Sequence, residues 1–268
     1  MKTGLVKVAP GKKIRLKNID AGDTGGYKGK GETLERLGQL QEQLRELQER
    51  LYAEDKRSLL LVFQAMDTGG KDGAVKSLLT GINPAGVQVT SFKAPSTEEL
   101  DHDFLWRVHQ KVPARGLIGV WNRSHYEDVL IVRVRKMVEK QVWKSRYAQI
   151  NAFEELLAAN GVTILKFFLH ISKDEQKERL QARLDDPSKQ WKFNEGDLAE
   201  RALWDDYQSA YEDAINECST AHAPWHVVPA NHKWARNIAV AEAVVEALEA
   251  LKPQYPKVAL DVEKIVIK

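Results

Sequence analysis

Cysteine is almost absent. The single thiol, Cys218, excludes an intramolecular disulfide and a cysteine-built zinc cage. A lone thiol fits a reducing compartment, which points to the cytoplasm. At that position a small buried apolar residue is a better reading than a nucleophile. Long hydrophobic runs are missing too. The longest lies around Leu59–Phe63, far short of a membrane span, so no membrane role is expected. The first twenty residues lack an apolar core, and no signal peptide is expected. A surplus of one charge is lacking as well: 40 Lys+Arg against 38 Asp+Glu leaves +2, which argues against a general nucleic-acid coat. No HExxH, GxSxG or Cys/His ligand spacing occurs, and neither internal repeats nor low-complexity segments are found.

What remains is an ordinary globular composition, 43% hydrophobic and 29% charged, in 268 residues, enough for one or two domains. Residues 1–31, rich in Lys and Gly, read as an irregular arm. From Glu32 to Glu54, Leu37, Leu40, Leu44, Leu47 and Leu51 alternate at spacings of three and four. This is a helical stripe for packing on its own domain or on a dimer mate. Five strands follow, separated by helices: Ser58–Ala65, Val87–Phe92, Gly116–Trp121, Thr163–Ile171 and Trp225–Pro229. Helices are expected over Thr97–Gln110, with Thr97 as N-cap, over 141–160, Lys173–Leu184, Asp197–Thr220 and Trp234–Leu251. The tail, 252–268, ends in a short apolar piece. Such alternation predicts a three-layer α/β domain over 32–251 with a five-stranded, mostly parallel sheet. Ligands then belong at the carboxyl ends of the strands.

The first strand runs into Ala65-Met66-Asp67-Thr68-Gly69-Gly70-Lys71-Asp72-Gly73. Laid on the phosphate-loop pattern GxxxxGK[ST], this keeps Gly70 and Lys71, but has Ala65 at the first Gly and Asp72 for Ser/Thr. Small residues let backbone amides close around an anion, the next helix adds its positive end, and Lys71 adds a point charge. A plain glycine turn is the competing reading. The lost hydroxyl normally holds Mg2+, and Asp67 offers a carboxylate instead; an Asx-turn role competes.

The third strand runs into Asn122-Arg123-Ser124-His125-Tyr126-Glu127-Asp128. Asn122 stands where phosphate-loop enzymes usually close the strand with a metal-binding carboxylate, so Glu127 and Asp128 are candidates to supply that charge. Arg123 suits bidentate phosphate binding, and Arg133 and Arg135 follow. A solvated turn would look similar. His125 reads as a structural hydrogen-bonding group. Residues 179–201 bring together Arg179, Arg183, Lys189, Lys192 and Arg201 around a proline. They read either as a basic lid over a polyanion or as a solvated hairpin.

AMDTGGKDG, NRSHYED, the stretch from Trp143 to Leu180 and the segment DDPSKQWKFNEGDLAERALWDDYQSAYE resemble the polyphosphate kinase family 2, over about Tyr27 to Leu251. The form with Glu127 is similar to its class III. The resemblance implies a phosphate-loop kinase fold akin to thymidylate kinase, with a helical lid. It also implies Mg2+-dependent, reversible phosphoryl transfer from inorganic polyphosphate to AMP or ADP, giving ADP and ATP, with Mn2+ as the alternative ion. It implies a homo-oligomer, dimer or tetramer. By motif, Asp67, Thr68, Gly69, Gly70, Lys71 and Asp72 form the phosphate loop. Arg123 and Arg183 contact phosphates, and Glu127 and Asp128 lie near metal or nucleotide. Asp67 and Asp128 are the expected metal ligands, and Lys71, Arg123, Arg133, Lys189 and Lys192 the expected basic groove. Two alternatives stand beside this reading: an ATP-dependent nucleotide kinase on the same fold, and a phosphate-loop regulator without turnover.

Overall fold

The computed structural model describes residues 4–257 and, beyond them, 259, 260, 264, 265 and 267, so part of the tail and residues 1–3 lie outside the described residues. In chain order the elements are β1 (Val6–Lys7), α1 (Lys30–Glu54), β2 (Ser58–Gln64), α2 (Lys71–Leu78), β3 (Val87–Ser91), α3 (Thr97–Leu100) and α4 (Trp106–His109). There follow β4 (Ile118–Asn122), α5 (Ile131–Val134), α6 (Lys140–Ala159), β5 (Val162–His170), α7 (Lys173–Asp185), α8 (Gly196–Ala202), α9 (Trp204–Cys218), β6 (Trp225–Pro229) and α10 (Lys233–Leu251).

The sheet is six-stranded and mixed, in the order β1-β6-β5-β2-β4-β3. Five strands are parallel; every residue of the central β2 is buried, as its continuous apolar run predicts, while β3 at the edge alternates and is half-exposed. The sixth corrects the expected count. The arm's Val6 and Lys7 pair antiparallel with Val227 and His226 of β6, a strand of two residues that is too short to show a period of two. Helix α10, with α1 and α2 against it, covers one face, and α6 with α9 covers the other. The leucine stripe of α1 is spent inside its own domain: Leu40, Leu44 and Leu51 are buried in the core, with Leu37 and Leu47 packed beside them.

Two expected helices are each broken in two. Between Thr97 and Gln110, Asp103 accepts the amide of Leu105, a local bond that competes with helical pairing and separates α3 from α4. The cap of α3 is Ser96 rather than Thr97, in a capping box with Glu99. The run from Asp197 divides at Leu203, whose amide bonds Glu200 in a tighter turn. Helix α6 ends as expected, with Gly161 left-handed at φ 89° just past it.

Strand β2 sits centrally, with β4 on one side and β5 on the other. The chain therefore leaves neighbouring strand ends in opposite directions, and a crevice opens above them.

Candidate active site

Above that crevice lies a groove of about 660 Å³, lined by the loop after β2, the ends of β3 and β4, α7, the turn after it and the start of α10. The loop is built to expose its amides. Its carbonyls face the protein: Asp67 O accepts from Gln176 at 3.0 Å, Thr68 O from Arg179 at 3.0 Å, and Gly70 O from Arg236 at 3.1 Å. With Gly70 as the cap of α2, the amides of Lys71, Asp72 and Gly73 have no partner within the helix and are available to an anion. Gly70 is required twice over. Its φ is +94°, and a Cβ there would come within 2.2 Å of Arg236 Nη1. Thr68 and Arg123 also hold left-handed backbone, at φ 61° and 64°, without being glycine. Such strain is typically about 1–3 kcal/mol each and persists only where the surroundings impose it. The Thr68 hydroxyl is buried without a protein partner.

Lys71 donates to Ala65 O at 3.0 Å across the loop. Burial, and then the nearby Arg123, push its ammonium below the usual lysine range. Asp67 turns to Arg123, whose Nη2 lies 3.1 Å from Asp67 Oδ1. Burial works against the charge of Arg123, but the Glu127 and Asp67 carboxylates outweigh it and hold the guanidinium charged. Asn122, at the strand end, donates to Asp72 Oδ1 at 2.6 Å. Two of the departures from the ordinary phosphate-loop pattern thus face each other: the carboxylate missing from the strand stands at the helix position where the hydroxyl is missing.

Not every expected residue reaches the groove. Arg183, Lys189 and Lys192 do, with Arg183 3.2 Å from Asp197. Glu127 lies under the Asp67–Arg123 pair in a smaller chamber of about 220 Å³, beside Tyr207 and Tyr211. Its carboxyl is raised by burial, with Arg123 and Lys71 opposing. The Gln64 amide donates to it at 3.0 Å when oriented to suit its neighbours. Asp128 points elsewhere, to Arg146 at 3.2 Å, and burial raises it to about 6. Arg133 is likewise outside, held by Asp213 at 2.7 Å and stacked over Trp143. Arg123 precedes the short helical turn that Ser124 caps and faces the groove, while that turn sends Glu127 to the smaller chamber and Asp128 and the following helix away from both.

Sequence reasoning missed Lys93, Lys233, Arg236, Gln176 and Asp197. Lys93 follows the end of β3, and Lys233 and Arg236 open α10 just past β6. The rule that ligands sit at carboxyl ends of strands, applied to every strand instead of two, points to all three. Arg179, expected at the edge of a lid, is instead an anchor. It is 9% exposed and also donates to Ala230 O at 2.6 Å.

The line-up of loop, strand end and basic helix matches one family throughout: the model of Polyphosphate kinase 2 (PPK2) matches residues 28–256. The chain belongs to the polyphosphate kinase 2 family. It is 54% identical over 263 residues to the AMP/ADP-polyphosphate phosphotransferase of Meiothermus ruber, covering 98% of both chains. It is 45% identical to the ADP-polyphosphate phosphotransferase of Rhodopseudomonas palustris, covering 96% of this chain and 93% of that one. The crystal structure of Polyphosphate Kinase 2 from Arthrobacter aurescens TC1 superposes with a TM-score of 0.91 at 48% identity, covering 96% of this chain and 97% of that chain. The α/β fold with its mixed six-stranded sheet is that of the polyphosphate kinase 2 family.

Proposed function

We propose that this protein transfers the terminal phosphoryl group of inorganic polyphosphate to AMP and ADP, giving ADP and ATP, and that it runs the transfer in both directions. The observation that carries this is the charge of the groove: eight basic side chains against three carboxylates, directly above a phosphate loop. In a chain of net charge +2, that concentration of cations is local, and it suits a linear polyanion. The names of the Meiothermus ruber and Rhodopseudomonas palustris relatives support the nucleotide acceptors.

Phosphoryl transfer asks a protein for positioning and charge neutralisation more than for covalent chemistry. Lys71 and the amides of Lys71, Asp72 and Gly73 hold one phosphoryl group, and Arg123 holds the next. Arg183, Lys189 and Lys192 close from the lid side and exclude water. No general base is needed, because the attacking nucleotide phosphate oxygen is already ionised at neutral pH.

Among the described residues no group of three or more His, Cys, Asp or Glu could hold a metal by itself. That suits a divalent cation that arrives on phosphate and needs only one or two carboxylates. Asp67 fits the role, with Asp197 and Asp72 beside it in the groove. Asp128 does not, because it lies outside the groove, turned to Arg146. Mg2+ bound there, or Mn2+ in its place, would neutralise phosphate charge as it shifts from donor to acceptor. We place the protein in the cytoplasm as a homo-oligomer, on the lone buried thiol and the family resemblance; among the described residues no helix is long and apolar enough to cross a membrane.

The test follows ATP formed from AMP, long-chain polyphosphate and Mg2+ with no ATP added, beside a matched reaction from ADP. ATP from both acceptors is expected. ATP from ADP alone would remove the AMP step. Absence of ATP from either, with phosphorylation restored by an ATP donor, would replace this reading with an ordinary nucleotide kinase.

A further inference from the structure

Lys166 lies in the middle of β5, paired in register with Val62 and Trp225, and is fully buried. A lysine at the centre of a parallel sheet is costly to desolvate, and replacing a buried ion pair by apolar groups is often neutral or stabilising. Stability alone is therefore a weak account of it. Its three ammonium hydrogens are all used. They go to Glu154 Oε2 of α6, to Tyr126 Oη at 2.7 Å, and to the carbonyl of Cys218 at the end of α9 at 2.7 Å. Glu154 is buried as well. Its Oε1 accepts from Tyr126 Oη at 2.9 Å and meets His125 Nε2 at 3.2 Å. The carboxylate stays ionised despite its burial because Lys166 and His125 surround it.

What hangs from this network is the loop after β4. His125 and Tyr126 point down into it, and on either side of them in the chain Arg123 and Glu127 point up to the groove chambers. Arg123 holds left-handed backbone while its amide bonds Phe63 O at 3.0 Å, so its position depends on restraint from both neighbours. The Tyr126 ring is also packed against Trp225 at 4.7 Å, which leaves its hydroxyl as the polar half of the tether.

We infer that Lys166 and Glu154 are positioning residues for phosphoryl transfer: joined through Tyr126 and His125, they hold the loop that carries Arg123 and Glu127 in register with the phosphate loop. The inference rests on the phosphoryl-transfer reading for its catalytic consequence, but not for the tether itself.

Tyr126→Phe tests it most gently, since it keeps the ring and removes the hydroxyl shared by Lys166 and Glu154. A second variant, Glu154→Gln with Lys166→Met, removes both charges together, so that neither is left buried alone. Each is measured by circular dichroism to establish folding, by hydrogen exchange, and by steady-state kinetics with ADP and polyphosphate. Faster exchange over residues 122–128 is expected, with β2 and β5 unchanged. A fall in kcat of about tenfold is expected, with KM for polyphosphate within about twofold, because misplacing one group of a positioned set slows the chemical step. Unchanged kcat in either folded variant overturns the inference, whatever the melting temperature does. Unchanged exchange over 122–128 overturns it independently. Wild-type protein that turns over no polyphosphate would instead overturn the functional reading, and the exchange result would still decide the tether.

Discussion

Gly70→Ala isolates the link between loop geometry and chemistry. The residue sits at φ +94°, where an L side chain typically costs about 1–2 kcal/mol. The new Cβ would also lie 2.2 Å from Arg236 Nη1, a distance at which the guanidinium has to leave. Arg236 is buried and donates to the Gly70 carbonyl. Losing a buried hydrogen bond from a charged donor is worth about 1.5–3 kcal/mol. If the loop holds its shape, the sum is about 2.5–5 kcal/mol, a fall of roughly 5–20 °C in Tm at about 2–4 °C per kcal/mol. If the loop yields, the fall in Tm is smaller and the loss appears in catalysis, with kcat/KM for polyphosphate down by more than about tenfold. Gly73→Ala is the matched control. Its Cβ would meet Arg236 Nη2 at 3.3 Å, which the guanidinium relieves by giving a few tenths of an ångström, so its stability is expected to change by less than about 1 kcal/mol. Differential scanning calorimetry and initial rates on the two proteins decide the matter. Wild-type stability and turnover in Gly70→Ala, or equal damage in both, would refute the argument.

Lys71→Met is expected to lower kcat by about 10²–10³-fold without lowering Tm, since it removes a preorganised cation that the fold holds at a desolvation cost; coupled-enzyme rates and a thermal melt check both halves. Asp67→Asn should raise the Mg2+ concentration for half-maximal rate by at least about tenfold, whereas Asp128→Asn should leave it within about threefold; a Mg2+ titration that reverses this order assigns the metal to Asp128. His226 is pushed by burial from 6.5 to about 4, so the unfolded chain takes up its proton first as pH falls and stability drops from pH 6.5 toward 4. At 1.36 kcal/mol per unit the full loss is about 3 kcal/mol, and His226→Gln should remove that part of the slope in urea melts across the window.

Much of the fold is legible in the chain because its signals are local. A parallel strand covered on both faces has to be largely apolar, and β2 and β4 announce themselves that way, whereas the edge strand β3 shows itself by alternation. The phosphate loop is equally plain, since an anion cradle needs small residues between a strand and a helix, and that need is met within nine consecutive positions. The breaks at Asp103 and Leu203 were not legible, because the helical period continues across them while a local side-chain or tightened backbone bond ends the ladder.

By itself, then, the sequence determined the α/β alternation, the small-residue loop between strand and helix, and Arg123 as a candidate to stand beside it. Only the tertiary structure decided which charges share a groove. Arg123, Glu127 and Asp128 fall within six residues of chain, yet Arg123 and Glu127 line the chambers beside the loop while Asp128 turns to Arg146. Conversely, Lys93, Arg179 and Lys233 are far apart in sequence and meet only because parallel strands end on the same edge of the sheet. Electrostatic sites are sums over distance. Distance between side chains is what a sequence does not state, and what the packing of strand ends supplies.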